Sequence, residues 1–236
     1  MASSEMLKRE VKILLFDLYG TVVDIQKGLT EAVTPFLRKA GWEGSPHRFV
    51  TWWRRTHFEN SMINALCDQR HTPYRMIGER AVAHVMDRAG IAYTAEQVSW
   101  LVRCIEKLKP FDDVVESLEA LKAAGYGLAV LSNGDCDMLD RAKGYIAFSF
   151  DNTISVQKAG YFKPHWKTYA KAKELLGVDY QSILFVANHS FDCVGAKSSG
   201  MRSCYVNRRG QPFGHWPEKP DLTVKDFKEL AQKMDY

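Results

Sequence analysis

Residues 12–21 read Lys-Ile-Leu-Leu-Phe-Asp-Leu-Tyr-Gly-Thr. The apolar run 12–16 has the length of a buried strand, and it stops at Asp17, three residues before the turn-forming Gly20. A carboxylate therefore stands at the exposed end of a strand, with a glycine that lets the backbone turn sharply beneath a ligand. Two readings fit such an aspartate: a nucleophile, or a cap for the following turn.

The same punctuation recurs along the chain. Residues 127–131 run into Ser132-Asn133-Gly134, residues 183–187 into Asn188-His189-Ser190, and residues 202–206 into Asn207. Helical patterns lie between these strands, at 114–124, 164–176 and 192–199, each closed by a glycine: Gly125, Gly177 and Gly200. Alternating strands and helices predict an α/β fold with a doubly wound parallel sheet. Ligands of such sheets bind beyond the carboxyl ends of the strands, which is where the polar clusters fall.

Residues 25–109 break the alternation with helix after helix. Ser45-Pro46 and Thr72-Pro73 read as caps followed by a proline at the first helical position, and Thr94 as a third cap. The expected organisation is an α/β core of residues 1–24 and 110–236, interrupted by a helical domain of residues 25–109.

Composition sets outer limits. The chain has 236 residues, 46% hydrophobic and 25% charged, which excludes disorder and collagen-like structure. Its 32 Lys and Arg against 28 Asp and Glu leave a charge of +4, too small and dispersed to argue for nucleic acid. No run approaches the roughly 18 apolar residues of a membrane span, and residues 1–10 lack the apolar segment of a secretory signal. The five cysteines, never spaced as CxxC, suggest neither a disulfide framework nor a zinc site, so a reducing cytoplasm is expected.

Four ordered motifs then carry a resemblance. FDLYGT (16–21), LSNGD (131–135), the Lys163 of YFKP (161–164) and FVANHSFD (185–192) resemble those of the haloacid dehalogenase superfamily, over nearly the whole chain. The resemblance implies that Asp17 is the nucleophile, that Ser132 and Asn133 bind the substrate anion, that Lys163 neutralises charge and that Asp192 closes the site. It also implies a helical cap inserted after the first motif. Phosphatase members carry a second aspartate two residues after the nucleophile, as general acid and part of a magnesium site. Tyr19 stands there instead, and a phenol replaces that acid poorly. A metal-dependent phosphatase thus becomes the second reading, and a silent core-and-cap protein that binds a small anion the third.

FDLYGT followed by Asp24 is more similar to the L-2-haloacid dehalogenase branch. That branch implies displacement of halide from short L-2-haloalkanoic acids or haloacetates, fluoroacetate among them, through an aspartyl ester, with inversion and without cofactor or metal. Arg54, after Trp53, matches the cap arginine that accepts the halide, and Tyr169 matches a tyrosine of the branch. Arg54 and Phe58 share a helix face, whereas Arg55 points about 100° away. Backbone N–H groups around Leu18 and Asn133, with the Ser132 hydroxyl, are expected to hold the substrate carboxylate beside Tyr19 and Thr21. Phe58, Tyr74 and Phe191 are candidates for an apolar wall. The aromatic segment 49–58 leaves room for an apolar interface, and resemblance points to a homodimer.

The fourth motif departs from the branch. Ala187 and His189 replace a serine and an asparagine, and Phe191 replaces a tryptophan. His189 has two readings, a base that takes a proton from water, since free imidazole titrates near pH 6.5, or a hydrogen-bonded loop histidine. Asp192 likewise either activates the water or holds Lys163.

Overall fold

Ile13–Phe16 forms strand β1 in the computed structural model, which describes residues 4–67 and 71–235. Leu14, Leu15 and Phe16 are fully buried, as a strand covered on both faces requires. Around it run β2 (Gly127–Ser132), β3 (Asn152–Ser155), β4 (Ile183–Ala187), β5 (Arg202–Val206) and β6 (Leu222–Val224), all parallel, in the order β3-β2-β1-β4-β5-β6. The chain moves to β2 on one side of β1 and later to β4 on the other, so the sheet reverses direction at β1 and opens a crevice there. The doubly wound α/β architecture is as expected. β3 and β6 are not legible in the sequence because they are short edge strands, and β3 (Asn-Thr-Ile-Ser) is mostly polar.

The helices are α1 (Ser4–Glu10), α2 (Ile25–Lys39), α3 (Pro46–Leu66), α4 (Tyr74–Ala89), α5 (Ala95–Arg103), α6 (Val114–Ala123), α7 (Cys136–Ile146), α8 (Trp166–Leu176), α9 (Ser190–Ser198) and α10 (Phe227–Met234). α2 to α5, with a 3-10 turn over Cys104–Lys107, all fall between β1 and β2. The chain leaves and re-enters the sheet side by side: the Asp24 N–H donates to the Lys109 carbonyl and the Phe111 N–H to that of Val22.

Ser45 caps α3 with Pro46 in the first turn, and Thr94 forms a capping box with Gln97 at α5. Thr72 does not cap α4. Its hydroxyl accepts from Asn64, Pro73 occupies the cap position, and the free N–H groups of Tyr74 and Arg75 donate to Asp135 at 2.8 and 3.1 Å. A carboxylate just beyond β2 thus satisfies two helix-start donors and complements the positive end of the helix. α8 begins at Trp166 rather than 164, with His165 as its cap. In the segment 49–58, Phe49, Val50, Trp53 and His57 are in the core, whereas Thr51, Trp52 and Arg55 are exposed. All five cysteines are free. Among the described residues no helix is long and apolar enough to cross a membrane.

Candidate active site

Asp17 ends β1 under the neighbouring strand, its N–H donating to the Val186 carbonyl at 3.0 Å. Lys163 reaches it from the loop before α8. The ammonium donates its three protons to Asp17 Oδ1 (2.8 Å), Asp192 Oδ2 (2.7 Å) and the Leu131 carbonyl (3.0 Å), and it is 1% exposed. A buried cation is tolerated only when paired and fully hydrogen-bonded, which this one is. Burial works against the charge of Lys163, but the two carboxylates more than offset it and raise its pKa.

The two aspartates respond oppositely. Burial opposes ionisation of Asp17, but the Lys163 charge and the contact with His189 outweigh it and hold the carboxyl well below the usual range. Asp192 is fully buried, and burial together with the negative charge of Asp17 pushes it up against the pull of Lys163. Both its oxygens are engaged, one by Lys163 and the other by the Tyr169 hydroxyl. Asp17 is therefore the carboxylate that stays ionised at the cavity, and Asp192 the one enclosed between the ammonium and the Tyr169 hydroxyl.

The second oxygen of Asp17 accepts from the Thr21 hydroxyl at 2.6 Å and lies 3.3 Å from His189 Nδ1. Thr21 in turn accepts from the Asn188 N–H at 2.9 Å, which ties the first loop to the fourth. The turn between them depends on Gly20, whose φ is +89°. A Cβ there would stand 3.0 Å from His189 Cε1 and 3.3 Å from Arg54 Nη2, so imidazole and guanidinium close over the glycine near Asp17.

Above Asp17 lies a cavity of about 1090 Å³ between the sheet end and helices α2 to α4. Of the residues expected at the site, Asp17, Tyr19, Arg54, Phe58, Asn133, Lys163, His189 and Phe191 line it. Phe58 and Phe191 face each other with ring centroids 4.3 Å apart, forming an apolar wall. Tyr74 also lines the cavity, between the rings of Tyr19 and His57. Burial pushes the Tyr19 and Tyr74 phenols up, so both stay protonated.

Leu18, Thr21, Ser132, Tyr169 and Asp192 stand behind this surface. Leu18 is 2% exposed, and its carbonyl accepts from the N–H groups of Thr21, Val22 and Val23 to close the loop. The Ser132 oxygen accepts from the Gly134 N–H, and the Asn133 side-chain oxygen accepts from the Lys163 N–H at 3.0 Å. Tyr169, fully buried, reaches Asp192 rather than the cavity. These side chains hold the residues that face a ligand.

Residues 11–200 match the family described as haloacid dehalogenase-like hydrolase. The chain belongs to that family. Within it the chain groups with the (S)-2-haloacid dehalogenases: one from Xanthobacter autotrophicus is 32% identical, over 85% of this chain and 77% of that protein. Another, from Pseudomonas sp. strain YL, is 29% identical over 95% of both chains. A solved structure of the L-2-haloacid dehalogenase from Xanthobacter autotrophicus with chloropropionic acid covalently bound has a TM-score of 0.83 and 27% identity, over 94% of this chain and 97% of that one.

Against this haloacid dehalogenase-like frame, several residues at the site escape sequence reasoning. Gln26 accepts from Arg54 Nη1 at 2.9 Å. Trp53, on α3, lines the cavity with a buried indole N–H that has no partner among the described residues. Arg208 and Arg209 follow β5 and line the cavity as well. The two arginines have a signal, since they lie just past a strand's carboxyl end, where Asn207 already marks a polar loop. Gln26 has none, because its importance rests on a contact across 28 residues.

Proposed function

We propose that this hydrolase is an (S)-2-haloacid dehalogenase that takes short L-2-haloalkanoic acids to 2-hydroxy acids with inversion at C2. The observation that carries this reading is an aspartate kept ionised by a buried lysine, beneath an apolar wall and an arginine. A carboxylate oxygen of Asp17 attacks C2, the carbon–halogen bond breaks, and the halide leaves with the bonding pair toward Arg54. The substrate carboxylate is held by the Leu18 and Asn133 backbone N–H groups, with Ser132 bracing their loop from behind through the Gly134 N–H, which orients C2 for in-line attack. Phe58 and Phe191 bound the chain of the substrate.

Water then adds to the carboxyl carbon of Asp17, the bond to the substrate oxygen breaks, and the hydroxy acid leaves with Asp17 regenerated. We assign His189 as the base that takes the water proton. Its place at the cavity surface, 3.3 Å from Asp17, supports this, whereas Asp192 is enclosed by Lys163 and Tyr169. Thr21, Tyr169 and Asp192 are positioning residues in this scheme. The division into a core of residues 1–24 and 110–236 and a cap of residues 25–109 fits it, with the cap supplying Arg54. A cytoplasmic homodimer is part of the proposal. Trp52, Ile63 and Leu66, exposed on α3, offer apolar surface for a second copy, and light scattering tests it.

The deciding experiment is halide release from L-2-chloropropionate, compared with the D isomer and with Asp17→Asn. Halide from the L isomer alone, abolished by the substitution, is expected. Magnesium-stimulated hydrolysis of phosphate esters without halide release would replace the reading by a phosphatase. His189→Ala slows ester hydrolysis by about 10²–10⁴ while halide is still released, so the ester accumulates and intact-mass measurement detects it.

A further inference from the structure

Among the described residues the Arg54 guanidinium makes no salt bridge; its partner is the neutral amide of Gln26, through Nη1. The other arm, Nη2, lies over Gly20 beside His189, next to the nucleophile. Burial and the nearby charge of Arg209 both work against the guanidinium's charge and lower its pKa to about 10, so it remains protonated at neutral pH. Asp24 and Asp17 are near enough to act on it through space, but neither bonds to it. Gln26 is itself anchored: its amide nitrogen donates to the His47 carbonyl at 3.0 Å and lies 3.5 Å from the Thr30 hydroxyl. The amide oxygen is thereby aimed at Arg54, with α2 and the first turn of α3 as the frame.

This arrangement differs in kind from an Arg–carboxylate fork. A carboxylate in place of the amide would form a charge-assisted pair, and a guanidinium so neutralised has less to offer an incoming anion. An amide oxygen anchors one arm of the guanidinium while leaving its charge intact. We infer that Gln26 is a positioning residue that holds Arg54 as an un-neutralised cation over Asp17, and so sets how strongly the site stabilises the departing halide. The inference rests on the dehalogenase reading. It predicts that the character of residue 26 controls carbon–halogen cleavage and halide affinity, while ester hydrolysis, served by His189, is spared.

Two substitutions separate charge from geometry. Gln26→Met keeps the length of the side chain but removes the acceptor and the donor. Gln26→Glu keeps the acceptor and adds the charge that would neutralise Arg54. Single-turnover halide release from L-2-chloropropionate is expected to slow about tenfold in Gln26→Met and further in Gln26→Glu. Product inhibition by bromide should weaken at least tenfold in Gln26→Glu, with KM for substrate changing less than kcat. Thermal melts accompany both variants. Wild-type halide release and bromide inhibition in Gln26→Glu would overturn the inference, as would a slowing that follows a drop in melting temperature with bromide inhibition intact. If the unaltered protein releases no halide, the dehalogenase reading itself fails, which is a distinct result.

Discussion

Asp17 stays ionised because of the side chains packed around it, and substitutions near it test different parts of that dependence. Gly20→Ala places a methyl where φ is +89°, and against His189 Cε1 and Arg54 Nη2. The backbone strain costs about 1 kcal/mol or more, and the displaced cation and imidazole cost activity on a larger scale. A melt only a few degrees lower with turnover reduced at least a hundredfold is expected. Lys163→Met leaves Asp17 and Asp192 buried around one apolar side chain. Removing one partner of a buried ion pair costs about 3–5 kcal/mol. Two apposed buried carboxylates both titrate higher, so this penalty exists above their raised pKa values and fades as acid protonates them. Denaturant titrations should show a deficit at pH 7 that shrinks toward pH 5.

At the scale of the helix, α3 and α4 are joined through a histidine that must stay neutral. His57 is 3% exposed, stacks on Tyr74 with ring centroids 3.9 Å apart, and bonds through Nε2 to the Tyr74 carbonyl at 3.1 Å. Burial lowers its pKa to about 4, against a small upward contribution from that bond. Unfolded, the ring takes its proton near pH 6.5 and folded only near 4, so between these values the unfolded chain binds more protons and stability falls as the pH drops. From pH 7 to pH 5 this histidine alone removes about 2 kcal/mol. The substitution His57→Gln keeps a donor for the carbonyl but cannot titrate. The difference in unfolding free energy between that variant and wild type should therefore shift in favour of the variant by about the same amount over this interval. A constant difference between the two pH values would show that the folded ring titrates as it does in the unfolded chain. Nothing local in the sequence points to this role: His57 is indistinguishable from a surface histidine until Tyr74, 17 residues on, is placed against it.

For the whole molecule, what is legible in the chain follows a physical divide. Buried parallel strands and their polar carboxyl ends are local patterns, so β1, β2, β4 and β5, and with them Asp17, Asn133 and His189, can be found in sequence. Contacts across the interface between the inserted helices and the sheet depend on two distant surfaces meeting, and these cannot. One of them is electrostatic. Glu106, 4% exposed at the end of the inserted helices, accepts from Arg75 of α4 at 2.9 Å and from Arg141 of α7 at 3.0 Å. Both arginines also bond to Asp137, and Asp135 caps α4 next to them. The network ties α4 and the chain's return segment to the helix that follows the Ser132-Asn133 loop. Glu106→Gln removes the charge that both arginines share. Arg141 is half exposed and Arg75 a quarter, which places the loss between that of a surface pair and a buried one, about 1–2 kcal/mol. Because the network spans the interface rather than either layer, the loosening should be local. Hydrogen exchange should rise in the first turns of α4 and α7 with the central strands unchanged, and raised salt should narrow the gap between variant and wild type. Uniformly faster exchange, extending into β1 and β4, would mean that Glu106 supports global stability and that the inserted helices and the sheet open as one unit.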